Sequence, residues 1–361
     1  ANNIYDHWGQ SLSFLERSID ISPFNSKFDF FLAGGAKGGV EGAPVVTLTA
    51  DEMAGFQLFN GKGNCNSCHV DGRSTNLTPG QMDTGTTASV QPLFTCHGFA
   101  NEGLPLNPRV SIFYESRPDA FGFTLNPDGM RFRDLGIGTF LRSGPGSFPN
   151  PNQPEWLPLA PEVDGQQQVM TARDVALTPP QCPTTEAGQK DANGNPVPYF
   201  QKAFFHNGYI KSLKQLVHFY NTRDSVPNPN GNTTFAFPVT SGHCPAGTVE
   251  KVTCWPQPEV LNNIDMTTGA LGLTDTEENQ IVAFLQTLTD GFNPANPTVS
   301  TYKNIDTFTG SVAGGQCTIT PAGVTASNQG NETLIPTWSL AQFPCATDIC
   351  GVPPLPTKPI P

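Results

Sequence analysis

The sequence predicts a mainly α protein with long irregular loops and a loop- or β-rich C-terminal extension. Three observations predict it. Capped or amphipathic stretches suited to short helices recur between residues 4 and 288. The 361 residues include 36 Gly and 35 Pro and are only 14% charged, a composition that interrupts helices and favours irregular chain. After Asn293 the chain becomes rich in Thr, Gly, Ala and Pro, with three cysteines and no strong helical period. The expected organisation is therefore a domain over 1–293 and an extension over 294–361.

In chain order, residues 4–18 place Ile4, Trp8, Leu12 and Leu15 at nearly helical spacing, which predicts an amphipathic helix. Trp8 is read either as the core anchor of that helix or as part of an electron path. Residues 49–60 open with "TADE", in which Thr49 caps and Glu52 reaches back, and close in "NGKGNC", where the glycines release the chain. Residues 72–200 are expected to be loops and short turns. "SLKQ" at 212–215 predicts a second capping box and a helix through Asn221. An irregular insert over 222–260 follows. "TDTE" at 274–277 opens a helix whose Ile281, Val282, Leu285 and Leu288 make one stripe.

A net charge of −12 argues against nucleic acid, which needs a basic face. It suits a small oxidised molecule or a basic redox partner steered by charge. No run of about 20 apolar residues is present, so no membrane span is expected. The polar and aromatic start "ANNIYDHW" reads as that of a mature or trimmed chain.

The motif that carries chemistry is "GNCNSCHVDG" at 63–72. Covalent c-type haem needs two thiols for its two vinyl groups and an imidazole beside them for the iron. Cys65, Cys68 and His69 supply that set in "CNSCH". The competing readings are a chance match, a zinc site and a thioredoxin-like pair. Zinc needs two further ligands at suitable spacing, and a thioredoxin site needs a βαβ context. "LFTCHG" at 93–98 looks like a damaged copy, with Leu93 in place of a first cysteine. Cys96 and His97 are there a single-thioether site or, as the preferred reading, a disulfide cysteine beside a surface histidine.

Seven cysteines remain outside the motif: Cys96, Cys182, Cys244, Cys254, Cys317, Cys345 and Cys350. They lack C-x-x-C spacing and suit structural disulfides in an oxidising compartment. The odd number leaves at least one thiol free or joined to another chain. Cys244 with Cys254 and Cys345 with Cys350 are candidate local pairs, with the connectivity left open.

Several segments together resemble the bacterial di-haem cytochrome c peroxidase and MauG superfamily. They are "SLSFLERSIDISPFNSKFDFFLAGG", "LTADEMAGFQLFNGKGNCNSCHVDG", "PLFTCHGFANEGLPLNP", "TARDVALTPP", "FFHNGYIKSLKQLVHFYNTRD", "CWPQPEV" and "LGLTDTEENQIVAFLQTLTDG", over about residues 5–292. The resemblance is to the family's second haem domain, so it implies a cytochrome c-like haem domain over 1–293. The family's first haem domain, with much of its peroxide pocket, is not in this sequence. Cys96 and His97 stand where the family usually reads "LFTDF".

The resemblance implies one covalent haem c held by Cys65, Cys68 and His69. It implies a distal ligand at Tyr220, where peroxidase-type members carry methionine and MauG-like members tyrosine. Leu213, Leu216, Val217 and Tyr220 follow helical spacing, so Tyr220 is expected on the buried face. There it is either an iron ligand or a core tyrosine with another partner. Met170, Met130 and Met82 are fallback ligands. His206 in "FFHNG" matches a family histidine expected to hydrogen-bond a haem propionate, or is a loop histidine. Thr178 and Pro180 match positions whose carbonyls bind calcium in the family, which makes calcium a candidate second cofactor.

Two function classes follow. One is a cytochrome c peroxidase-like enzyme, reducing hydrogen peroxide or acting as a MauG-like oxidant. The other is a mono-haem electron-transfer cytochrome, or a subunit of a larger cytochrome complex or filament. Either implies a periplasmic or extracellular bacterial protein. The expected partner is a small cytochrome or cupredoxin, or a haem-containing domain, in a homo- or hetero-oligomer.

Overall fold

The computed structural model describes residues 2–16, 18, 23–34, 46–71, 92–108, 110–142, 154–178, 203–210, 212–227 and 251–292. It also describes short pieces at 183–184, 199–200, 233–235, 244, 294, 308–313, 316–321 and 338–339. Among these residues the chain forms helices α1 (Asn2–Glu16), α2 (Lys27–Gly34), α3 (Ala50–Phe59), α4 (Ile137–Arg142), α5 (Leu213–Thr222) and α6 (Asp275–Gln286). Strands are two to six residues long and pair antiparallel in small open sheets. The fold is therefore mainly helical, as composition and capping predict. No helix among the described residues is long and apolar enough to cross a membrane.

The chain divides into two compact units. The first comprises Ala1–Gly103, Leu135–Ala176 and Val260–Lys303; the second comprises Leu104–Asp134, Leu177–Glu259 and Asn304–Pro361.

The first unit is built on α3 against α6. Both helices start with the capping boxes that the sequence predicts. Thr49 accepts from Glu52 N at 3.3 Å while Glu52 takes Thr49 N at 2.6 Å, and Thr274 and Glu277 repeat the exchange at 3.2 and 2.7 Å. A Cβ on Gly55 would overlap the backbone carbonyl of Gln280, so only glycine lets the two helices approach this closely. Ile281, Phe284 and Leu285 of α6 are buried with Leu288 beyond its end, and Val282 is half-buried. Phe28, Phe56, Phe59, Phe94 and Phe284 interlock between the helices, with ring centroids 5.1 to 6.2 Å apart.

The sequence reading passed over α2, which Ser26 starts by exchanging hydrogen bonds with Asp29. Lys27 then places its ammonium on both Glu52 oxygens, at 2.8 and 2.6 Å, with both side chains buried. Glu52 thus closes a cap and neutralises a buried cation at once. Helix α1 forms where the periodicity places it, but its stripe is not covered. Ile4, Trp8, Leu12 and Leu15 are 76, 57, 38 and 53% exposed. The expectation of Trp8 as a core anchor is corrected: helical periodicity identifies an apolar face without supplying a surface to cover it.

In the second unit, Ser212 caps α5 by accepting from Gln215 N at 3.1 Å. Leu213 and Val217 are buried, whereas Leu216 and Tyr220 are half-buried and Phe219 is fully enclosed. The buried face is thus shifted from the predicted stripe. Trp255 packs edge-on to Phe219 at 5.0 Å and donates to Thr222 Oγ1 at 2.9 Å, which pulls that side of the helix inward. Cys244 and Cys254 form the expected local disulfide. Phe308–Ala313, Gln316–Pro321 and Trp338–Ser339 form an antiparallel sheet. Met82, Pro180, Cys182, Cys345 and Cys350 lie outside the described residues.

The α3–α6 approach generates a direct test. Gly55→Ala is expected to destabilise the protein by about 3 kcal/mol, the upper range for a steric insertion into a packed core. Denaturant unfolding monitored by far-ultraviolet circular dichroism measures it.

Candidate haem site

The site grows from the end of α3. Asn60 ends the helix, and Gly63 N returns to Leu58 O at 2.8 Å. A Cβ on Gly63 would stand 2.8 Å from that carbonyl and 3.1 Å from Ile281 Cδ1, so a side chain there would strain the turn. Asn64 follows at φ +52°, with its amide held 3.2 Å from Thr267 O. A single 3-10 turn, Cys65–Ser67, then carries the motif. Cys68 N and His69 N both donate to Cys65 O, at 3.3 and 2.8 Å. Both thiols and the imidazole are therefore carried on one tight turn of chain.

His69 Nδ1 lies 2.9 Å from the carbonyl of Phe94. A carbonyl only accepts, so Nδ1 carries the proton and Nε2 keeps its lone pair. Burial holds His69 below the usual imidazole range, outweighing the Phe94 and Met170 carbonyls that favour its charged form. A neutral ring protonated at Nδ1 has its lone pair on Nε2, the form that ligates a metal. Cys65 and Cys68 are free thiols. Burial pushes them up to about 12 and about 11, so both retain S–H, the group that adds across a vinyl double bond to form a thioether. Two thiols and an oriented imidazole on one turn fit a c-type haem. Among the described residues no three His, Cys, Asp or Glu side chains gather into a cation cage.

The loop that supplies the Phe94 carbonyl is pinned along its length. Ala172 N donates to the same carbonyl at 3.1 Å, and Val169 N reaches Gly98 O at 2.8 Å. Thr95 Oγ1 donates to Val169 O at 2.6 Å, and Thr171 Oγ1 to Leu93 O at 2.5 Å. Phe94 itself is fully buried at φ +52°. "LFTCHG" is thus the strap that orients His69, a role that sequence reasoning missed because a main-chain carbonyl has no side-chain signature. The disulfide preferred for Cys96 is corrected. Cys96 is a free thiol whose sulfur accepts from Gly98 N at 3.3 Å. His97 beside it is exposed at φ +54°, so the tight turn folds the thiol back on its own loop.

Of the other predicted site residues, Tyr220, His206, Met130 and Thr178 lie in the second unit, and Met170 is 66% exposed in the first. Tyr220 and His206 are gathered around Phe205, whose ring sits 5.6 Å from that of Tyr220 and which precedes His206 at φ +62°. Tyr220 is half-buried, not on the fully enclosed face. Asn207 ties the His206 turn down, donating to Pro105 O at 2.9 Å and accepting from Asn107 at 2.7 Å through its backbone carbonyl. His206 retains exposed surface, yet lost hydration lowers its pKa against the nearby Asp134 charge. Glu259 accepts from Asp134 N at 3.0 Å, and burial raises its carboxyl above the usual range. Sequence reasoning did not single out Glu259 or Asp134. Met130 and Thr178 are half-buried.

Phe94→Ala removes a ring from the aromatic cluster and loosens the strap, and is expected to cost about 4 kcal/mol of stability. Guanidinium unfolding of the purified protein measures this.

No family model and no curated protein matches the chain. Among solved structures it is similar to the diheme peroxidase BthA from Burkholderia thailandensis E264, with 22% identity, TM-score 0.43, and coverage of 76% of this chain and 48% of that one. A point variant of BthA gives 21% identity with the same TM-score of 0.43 and coverage of 76% and 48%. A MauG-like protein associated with microbial copper homeostasis gives 17% identity and TM-score 0.33, over 77% of this chain and 51% of that one. The chain spans about half the length of these structures. Likeness at this level assigns neither family nor activity.

Proposed function

We propose that this chain is a c-type haem redox protein with peroxidase-like chemistry, binding one haem covalently through Cys65 and Cys68 and ligating it with His69. The observation that carries the haem assignment is the hydrogen bond from His69 Nδ1 to the Phe94 carbonyl, on the same turn as two free thiols. With the proton held at Nδ1, Nε2 would be the nitrogen that ligates the iron. Bound haem would supply a redox-active iron able to exchange electrons with a partner and to accept peroxide. The peroxidase-like reading of that iron rests on the motif resemblance, with Tyr220 as distal ligand and His206 as propionate partner. The Cys244–Cys254 disulfide supports an oxidising, periplasmic or extracellular setting.

The chain's own residues do the positioning. The strap at 92–98 holds the His69 proton at Nδ1, and burial keeps the ring neutral. The net charge of −12 suits a basic electron donor, whose approach would weaken with salt.

The purified protein is expected to gain the mass of one haem, and His69→Ala is expected to lose the native haem spectrum. An unchanged spectrum in that variant overturns the ligand assignment, and a mass gain of two haems assigns a second attachment at Cys96. Ferric optical and EPR spectra before and after stoichiometric hydrogen peroxide decide between enzyme and carrier. A spectrum that peroxide converts supports the peroxidase; a low-spin spectrum indifferent to peroxide supports the electron-transfer cytochrome. Tyr220→Phe is expected to abolish the ferric charge-transfer bands of a tyrosinate ligand. Retention of those bands makes Tyr220 a packing residue.

A further inference from the structure

A buried charge cluster in the first unit does not balance. Arg173 donates to Asp29 at 3.0 and 2.5 Å and to Asp290 at 3.0 Å, and all three side chains are nearly enclosed. Asp174 adds a third carboxyl: its Oδ1 accepts Asp290 N at 2.8 Å. One guanidinium therefore faces three carboxyl groups. Lys27, the other buried cation nearby in sequence, is committed to Glu52.

The hydrogen bonding of Asp290 is also incomplete. Its Oδ1 accepts from Asn25 N at 2.9 Å and from Arg173 at 3.0 Å, whereas its Oδ2 is buried with no partner. A buried carboxylate oxygen without a donor is costly. The neighbouring carboxyl is that of Asp174, whose Oδ1 already accepts the Asp290 N–H at 2.8 Å. Two carboxyl groups so placed cannot both ionise cheaply.

We propose that Asp174 and Asp290 share one proton, donated by Asp174 to Asp290 Oδ2, and that this proton makes closure of the cluster depend on pH. The cluster is a clasp. Asp290 and Gly291 hold Asn25, Asp29 begins α2 with Ser26, and Arg173 reaches Pro92 O at 3.3 Å. Pro92 begins the strap that carries the His69 partner. Loss of the proton adds a second negative charge between segments that the clasp draws together. The clasp is independent of the haem assignment.

Burial is the first cause that raises Asp174, to about 6 from 3.8, with the Asp290 charge adding to it and Arg173 opposing it. The sign follows. The folded chain binds the proton more tightly than the unfolded chain, so this pair favours folding at low pH, and that contribution is lost as pH rises from about 4 through about 6.

The test uses the full haem-loaded chain labelled with carboxyl-13C aspartate, which separates aspartates from glutamates and propionates. Infrared spectra are expected to show a protonated aspartic-acid carbonyl band at pH 5 that disappears with a midpoint near 6. Ordinary aspartates, with pKa about 3.9, are roughly nine-tenths ionised there, so the band is read as the difference between wild type and the Asp174→Asn variant. Asp174→Asn keeps a donor toward Asp290 and is expected to remove the band. It is also expected to flatten the pH profile of melting, so that wild type loses about 2 °C relative to the variant between pH 5 and pH 7.5. Absence of the band from wild type at pH 5, or its persistence in the variant, overturns the shared proton. Should the variant not fold, the wild-type titration alone decides, and a midpoint below about 4.5 overturns it.

Discussion

Phe94 joins the hydrophobic core to the chemistry. Its ring sits fully buried among Phe28, Phe59 and Phe284, while its carbonyl accepts from both His69 Nδ1 and Ala172 N. To do both, the backbone adopts φ +52°, a conformation that costs a non-glycine residue about 1 kcal/mol or more. Burial of a large aromatic side chain contributes roughly 2–3 kcal/mol and offsets that strain. The orientation of the candidate iron ligand therefore depends on core packing more than on any polar group that a sequence motif would reveal.

The same economy appears where α3 meets α6. Gly55 sets how closely the helices approach, and the two capping boxes set where each begins. Because α3 starts at Thr49 and ends at Asn60, the turn that follows delivers Cys65, Cys68 and His69 at one end of the α3–α6 pair. The Glu52–Lys27 pair ties α2 to this frame. Its worth lies mainly in what its loss would leave behind, a single buried charge whose exposure to low dielectric costs several kcal/mol.

The two units divide the chemistry. The first contains the thiols, the imidazole and the strap; the second contains Tyr220, His206, Asp134 and Glu259. In the second, Phe205 contacts Tyr220 and directly precedes His206, while Asn207 fixes the turn through hydrogen bonds with Pro105, Asn107 and Tyr209. Burial acts in opposite directions on its titratable groups, lowering His206 and raising Glu259, so each is drawn toward its neutral form.

Local chemistry made much of this legible in the sequence. The Thr49–Glu52 and Thr274–Glu277 caps, the Ser212 cap, the short Cys244–Cys254 pairing and the C-x-x-C-H turn all depend on residues within ten positions of one another. Their geometry follows from backbone spacing alone. Tertiary structure decided the rest. It left the α1 stripe exposed, enclosed Phe219 and left Tyr220 half-covered, and made "LFTCHG" a strap with a free Cys96. It also set Asp29, Asp174 and Asp290 around Arg173 from segments as much as 265 residues from the Asn25 they clasp. Periodicity and motif spacing describe what a segment offers. Which face is covered, which carbonyl meets which imidazole and which carboxyl groups must share a proton depend on contacts between distant segments, and those exist only once the chain has packed.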